Sequence, residues 1–377
     1  MTAVLLLGLL LLLLLLQSVN AAVDILDYVD PLIGSNNGGN TFVGANLPYG
    51  MAKPVADVDG QNTGGFATDN SNVNGFSSMH DSGTGGNPSL GTFPLFPQYC
   101  EEDNDINSCS FRKEDRAEKY VNESVVSRPG YFAVTLEGSG IEAEMTATEH
   151  AALYRFVFPR LYKNDGEEDK EEGDLLHPLI MLDLTDIYDT RQNATIEIDP
   201  HTGRMQGNGT FLPSFGAGTF QSYFCVDFEH PAHVYDSGIY VNHRAGTEVQ
   251  SIFVTRGFNT FYLQAGGFVR FPYNDSEEGG RITARVGVSL VSTRQACRNA
   301  EREIPDYDFE GIRKRAEDAW REKLAPFKVE MGGGVDQEDF LTSFYSGIYR
   351  TMMSPQDYTG ENPLWVSDEP HFDSFYW

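Results

Sequence analysis

Apolar and polar positions change with a period of two along the middle of the chain. Tyr131-Phe-Ala-Val-Thr-Leu136, Ile141-Glu-Ala-Glu-Met-Thr-Ala-Thr148, Ala152-Leu-Tyr-Arg-Phe-Val-Phe158 and Leu179-Ile-Met-Leu-Asp-Leu184 are apolar or alternating runs of strand length. Thr195-Ile-Glu-Ile198, 219–228, Ser251-Ile-Phe-Val-Thr255, Phe261-Tyr-Leu-Gln-Ala265 and 282–291 continue the series. Many short strands separated by turn residues predict a large antiparallel sandwich. Near residue 308 the period lengthens to that of a helix. Ile312, Ala316, Ala319, Trp320 and Leu324 fall on one face, with Asp308 as N-cap and Pro326 past the end. Phe340, Leu341, Phe344, Tyr345, Ile348 and Met352 mark a second helix, opened by Asp336 and closed before Pro355. Strands first and helices later predict a β domain followed by a helical one. Two helices cannot enclose a core, so Phe344, Ile348 and Met352 are expected to lie uncovered.

Ahead of the strands, residues 23–97 are rich in Gly, Asn, Pro and Asp, and read as loops laid over a scaffold. Within them, 73–88 crowds one His, one Asp, small hydroxyls and four glycines into sixteen positions. The stretch shows neither a strand nor a helix period, so it is predicted to be a polar contact loop rather than a core strand. Loops held on a rigid scaffold are where sites sit.

Composition narrows the function classes. The chain has 377 residues, 40% of them apolar, so a sizeable core is within reach. With 55 acidic against 27 basic residues, the net charge of −28 excludes nucleic acid as a natural partner, since a phosphate binder carries the opposite sign. The Leu-rich run that ends at Leu16, followed by Val19-Asn20-Ala21, reads as a signal peptide over 1–21. No later apolar run approaches spanning length, so a secreted protein with no membrane segment after cleavage is expected. The acidic run at 165–174 reads as a solvated loop.

Four cysteines in a secreted chain suggest two disulfides, with three pairings possible. Closeness in sequence pairs Cys100 with Cys109 and leaves Cys225 for Cys297. Asn122, Asn193, Asn208 and Asn274 each open an acceptor sequon for N-glycosylation. His230-Pro-Ala-His233 is no zinc motif, because the proline breaks the helix that would align the two rings. Asp57-Val-Asp-Gly60 lacks the later ligands of a calcium loop and reads as a turn. No nucleophile elbow, phosphate loop or dinucleotide fingerprint is present.

Asp30-Pro-Leu-Ile-Gly34, Gly39-Asn-Thr-Phe-Val-Gly-Ala-Asn-Leu-Pro-Tyr-Gly-Met51 and Gly75-Phe-Ser-Ser-Met-His-Asp-Ser-Gly-Thr-Gly85 occur in that order. Arg128-Pro-Gly-Tyr-Phe132, Glu144-Met-Thr-Ala-Thr148, Phe344-Tyr-Ser-Gly-Ile-Tyr-Arg-Thr351 and Gly360-Glu-Asn-Pro-Leu-Trp-Val-Ser-Asp-Glu-Pro370 follow. The series resembles glycoside hydrolase family 92, the exo-acting α-mannosidases, over essentially the whole mature chain. The resemblance implies a mainly β fold: a β-sandwich over 22–305, a helical linker over 306–334, and over 335–377 the truncated start of an (α/α)6 catalytic barrel. It implies a calcium-assisted, inverting attack of water on terminal α-mannosides of mannose-bearing glycans. The general acid, general base and most calcium ligands are then expected beyond Trp377, so no catalytic residue and no metal ligand is assigned here. Asn40, Phe42, His80 and Asp81 are the candidate sugar-binding residues: an amide, an aromatic face, an imidazole and a carboxylate suited to a polyhydroxylated ligand. Ser78 stands where many relatives have a second His. The fragment alone is expected to lack turnover. A stand-alone lectin-like sandwich is the alternative.

Overall fold

The computed structural model describes residues 23–373 except 81–89, 101–103, 163–174, 215–216, 230–232, 257–262, 274–279, 331–336 and 368. The signal peptide, Asp81, the 165–174 run, His230, Asn274 and the Asp336 helix start therefore lie outside the described residues.

Two antiparallel sheets face one another. The first runs β1 (Val55–Val58), β2 (Val73–Ser77), β3 (Leu95–Gln98), β8 (Leu179–Asp183), β15 (Ala265–Arg270), β12 (Asp236–Val241), β13 (Arg244–Gly246). The second runs β14 (Ser251–Thr255), β9 (Asn193–Ile198), β10 (Met205–Phe211), β11 (Phe220–Phe228), β16 (Arg281–Ser289), β7 (Ala151–Val157), β6 (Glu142–Ala147), β5 (Tyr131–Thr135), β4 (Val126–Arg128). Aromatic side chains from the two inner faces meet edge-on: Phe76 of β2 lies 5.5 Å from Phe156 of β7, centroid to centroid. Such contacts bury both faces in one continuous core.

The strands expected between 131 and 228 and between 251 and 291 form, except that in place of the run expected at 261–265 the described strand is Ala265–Arg270, and β10 (Met205–Phe211) and β12 (Asp236–Val241) were not anticipated. The reading of 73–88 as a contact loop is corrected at its start. Val73–Ser77 is a fully buried strand paired with β1. It lacks alternation because it is covered on both faces, and a strand buried on both sides has no polar side to show.

The helices follow. α1 (Thr293–Glu303), which the pattern did not reveal, is capped by Ser292 and packs on β16 and β11. α2 (Phe309–Leu324) is capped by Asp308, whose carboxylate accepts from Gly311 N, and buries Phe309, Ile312, Ala316, Trp320 and Leu324. α3 (Gln337–Thr351) turns Tyr345, Ser346 and Tyr349 inward. Just past it, Met352 is only 6% exposed, contrary to the expectation that it lies uncovered, because it joins the main core while Tyr49 N, on the loop before β1, donates to its carbonyl. Phe340 and Phe344 remain exposed. A hairpin of β17 (Gln356–Asp357) and β18 (Phe372–Asp373) ends the described chain. Both disulfides form as read, Cys100–Cys109 and Cys225–Cys297.

Candidate functional site

The Gly-rich loops of the N-terminal part and the segment after α3 meet at one junction. The indole of Trp320 donates to Asn46 O at 2.7 Å, and the Tyr349 hydroxyl reaches Asn46 Oδ1 at 3.3 Å. Tyr49 N donates to Met352 O, and Asp357 N donates to Tyr49 O. Lys53 is fully buried, and its ammonium donates to Met353 O. The Gln356 amide turns its oxygen to Lys53 Nζ at 3.0 Å and its nitrogen to Asp373 O at 3.0 Å. A single lysine thus ties the sandwich loops to the terminal hairpin through charge-assisted bonds.

Beneath this tie lie two of the sequence candidates. Phe42 and His80 are both buried, with ring centroids 5.7 Å apart, and Lys53 Nζ sits 5.9 Å from the Phe42 centroid. Phe42 is therefore part of the core, and its ring backs His80 rather than standing open as a platform. His80 Nε2 is 3.4 Å from Asp57 Oδ1, in a pocket of protein where both side chains are shielded from water. Asp57, read from sequence as a turn residue, points inward from β1, and neither of its oxygens accepts a hydrogen bond among the described residues. Ser78 reaches the Tyr154 hydroxyl at 2.9 Å, and that hydroxyl donates to Ser77 O; burial pushes the Tyr154 phenol well above its ordinary pKa.

Asn40 lies apart from this cluster on the preceding loop. Its backbone is left-handed, with φ 52°, and its amide donates to Gly38 O at 3.0 Å. The loop is held close by Gly64: a Cβ there would stand 2.1 Å from Thr41 O. The next residue, Gly65, has φ +90° and lies between Val55 and His80.

Two cavities flank the junction. One, of about 310 Å³, is lined by Tyr358, Glu361, Trp365, Glu369, His371 and Asp373 among others, with the Trp365 side chain 66% exposed. The other, of about 550 Å³, lies between the β6–β7 turn and α2 and is lined by Glu149, His150, Arg302, Glu303 and Arg315 together with small apolar residues of α2.

Comparison with known proteins decides the family. The model of the glycosyl hydrolase family 92 N-terminal domain matches residues 28–289, and that of the family's catalytic domain matches 295–376. The chain belongs to glycosyl hydrolase family 92. An uncharacterized secreted glycosidase of Arthroderma benhamiae is 57% identical over 356 residues, covering 94% of this chain and 44% of that protein. Among solved structures, a family 92 inverting mannosidase of Bacteroides thetaiotaomicron superposes with a TM-score of 0.70 at 22% identity, covering 94% of this chain and 44% of its own. A family 92 α-mannosidase of the same organism in complex with mannoimidazole gives 0.69 at 21% identity, covering 89% and 40%. These two likenesses show the fold. The chain thus spans less than half the length of the relatives it matches.

The family 92 resemblance implies calcium, and the described residues do not supply a site for it. Their one group of metal-capable side chains is Glu149, His150 and Glu303, whose donor atoms lie within 4.8 Å of one another. Calcium takes six to eight oxygens, whereas this group offers an imidazole, and Glu303 already accepts from Thr148 Oγ1, His150 N, His150 Nδ1 and Arg302. Among the described helices, none is long and apolar enough to cross a membrane.

Sequence reasoning singled out Phe42 and His80, which the structure places side by side and buried, and passed over Asp57 as a turn and over Lys53, Gln356 and Trp365. Asp57 sits in Val55-Ala-Asp-Val58, a short apolar run that could have flagged a strand. Lys53 and Gln356 are 303 positions apart, and no local pattern reveals such a contact.

Proposed function

We propose that this chain is the N-terminal portion of a secreted, calcium-dependent, inverting exo-α-mannosidase that acts on mannose-bearing glycans. The observation that carries this reading is family membership, with both family 92 domains matched in order over nearly the whole chain. In this reading, the sandwich loops and the terminal hairpin form one wall of the sugar site. Asn40 and Asp81 supply polar groups to sugar hydroxyls, while His80, packed on Phe42 and beside Asp57, anchors the chain just before Asp81. Trp365 offers an exposed aromatic face, and Glu369 and His371 stand beside it as hydrogen-bonding groups. The general acid, the general base and the calcium ligands belong to the rest of the catalytic domain, so the isolated chain binds without turning over. A missing acid or base alone forfeits about 10²–10⁴-fold in rate.

A chimera tests this: the remainder of the Arthroderma benhamiae relative is joined after Trp377, and both chimera and isolated chain are assayed on terminal α-mannosides. Mannose release by the chimera, abolished by a calcium chelator and absent from the isolated chain, is expected. A folded chimera that spares α-mannosides and cleaves another glycoside would overturn the substrate assignment.

A further inference from the structure

Two of the four sequons lie side by side on neighbouring strands. Ala194, Ile196 and Ile198 of β9 and Met205, Gly207, Gly209 and Phe211 of β10 face the core, which turns Asn193, Thr195, Asn208 and Thr210 to the outer face, all partly exposed. The register sets Asn208 opposite Thr195 and Thr210 opposite Asn193. Each acceptor asparagine thus faces the hydroxyl of the other's sequon. Asn208 Nδ2 donates to Thr195 Oγ1 at 3.0 Å, and Thr210 Oγ1 donates to Asn193 Oδ1 at 3.2 Å.

The two asparagines are not equivalent. The sugar of an N-linked glycan attaches to Nδ2, and in Asn208 one of the two hydrogens of that nitrogen is already donated to Thr195 Oγ1, which fixes the amide against the neighbouring strand. Among the described residues, the Asn193 amide is held through its oxygen, by Thr210 Oγ1, and its nitrogen is left for the linkage. Surroundings point the same way. Asn208 has Tyr223 directly opposite on β11, and the start of α1 closes in where Thr293 Oγ1 donates to Gly207 O. Asn193 opens β9 and pairs with Thr255 of β14, the outermost strand of its sheet. Phe253 of β14 stands opposite Thr195, diagonal to Asn193, and is 63% exposed. Diagonal neighbours lie about 7–8 Å apart, within reach of an aromatic side chain, so the Phe253 ring can underlie the first sugar. The same spacing separates Asn193 from Asn208, so two glycans would contend for one area of sheet.

We propose that these sequons form a single modification patch that carries one N-linked glycan, on Asn193, while Asn208 stays bare. The inference concerns processing in a secretory pathway and is independent of catalysis. To test it, the chain is secreted from a eukaryotic host and digested with trypsin, which separates the two sites at Arg204, and site occupancy is read by mass spectrometry of the glycopeptides. Asn193 should be occupied on most chains and Asn208 on a small minority. Asn193→Gln should raise Asn208 occupancy several-fold. Thr195→Val, which deletes the Asn193 sequon and releases the Asn208 amide, should do the same and provides a second route if the first variant is not secreted. Asn193 unoccupied, both sites filled on the same chains, or Asn208 still bare in both variants would each overturn the proposal.

Discussion

His150 is buried at the β6–β7 turn, and its Nδ1 lies 2.9 Å from Glu303 Oε1. Burial alone would depress its pKa, but the hydrogen bond to Glu303 and the charges of Glu303, Glu361 and Glu149 raise it above the ordinary 6.5. Burial would likewise raise the Glu303 carboxyl, yet the His150 bond and charge, the His150 N–H and Arg302 bring it from 4.5 to about 2. The signs fix a window. The raised histidine stabilises the fold fully below its unfolded value of 6.5, and that contribution is lost as pH climbs through its folded value. The lowered glutamate stabilises above 4.5, and its contribution is lost as pH falls toward 2. Both act together between 4.5 and 6.5. Glu303→Gln should therefore cost most there, about 3 kcal/mol for removing one partner of a buried pair, and less at pH 8. Urea unfolding of the variant and the parent at pH 5.5 and 8 checks this; an equal loss at both would show that the pair is not ionised in the window.

Cys225 and Cys297 join β11 to α1 across 72 residues, whereas Cys100 and Cys109 are 9 apart. In the chain-entropy account, removing the longer bridge costs about 4 kcal/mol and removing the shorter about 2.5 kcal/mol. Thermal unfolding of the two paired Cys→Ala variants should rank them in that order, and the reverse ranking would show that the Cys225–Cys297 link adds little to packing already secured by α1. That helix also shows where sequence legibility stops. Its buried face is Gln295, Ala296, Cys297, Asn299 and Ala300, small or polar residues that carry no apolar stripe. β2 escaped for the opposite reason: it is buried on both faces and built partly from Asn and Gly, which read as turn residues. By contrast, β9 keeps a strict alternation because one face meets solvent, and α2 shows a clear apolar stripe between a capping Asp308 and Pro326. At the candidate site, the motif marked out Phe42 and His80 as residues of one cluster, though not that both are buried. Their partners were not legible, because Asp57 and Lys53 gain meaning only when strands and hairpin come together.

For the molecule as a whole, the decisive contact is the buried Lys53, which links the sandwich to the hairpin that ends the described chain. Lys53→Met keeps the apolar stem and removes the donors to Met353 O and Gln356. Hydrogen exchange across 353–373 should then speed up about tenfold, the equivalent of one lost hydrogen bond of about 1.4 kcal/mol, while β7 and β16 stay protected. The same substitution, placed in the completed chimeric enzyme, tests the central claim that sandwich loops and hairpin together shape the mannoside site. The measurement is kcat/KM for mannose release by the Lys53→Met enzyme relative to its parent, alongside thermal unfolding of both. A loss of tenfold or more with the sandwich still folded is the expected result, since small displacements of positioning groups are costly to catalysis. Unchanged turnover, with the hairpin demonstrably loosened, would contradict it.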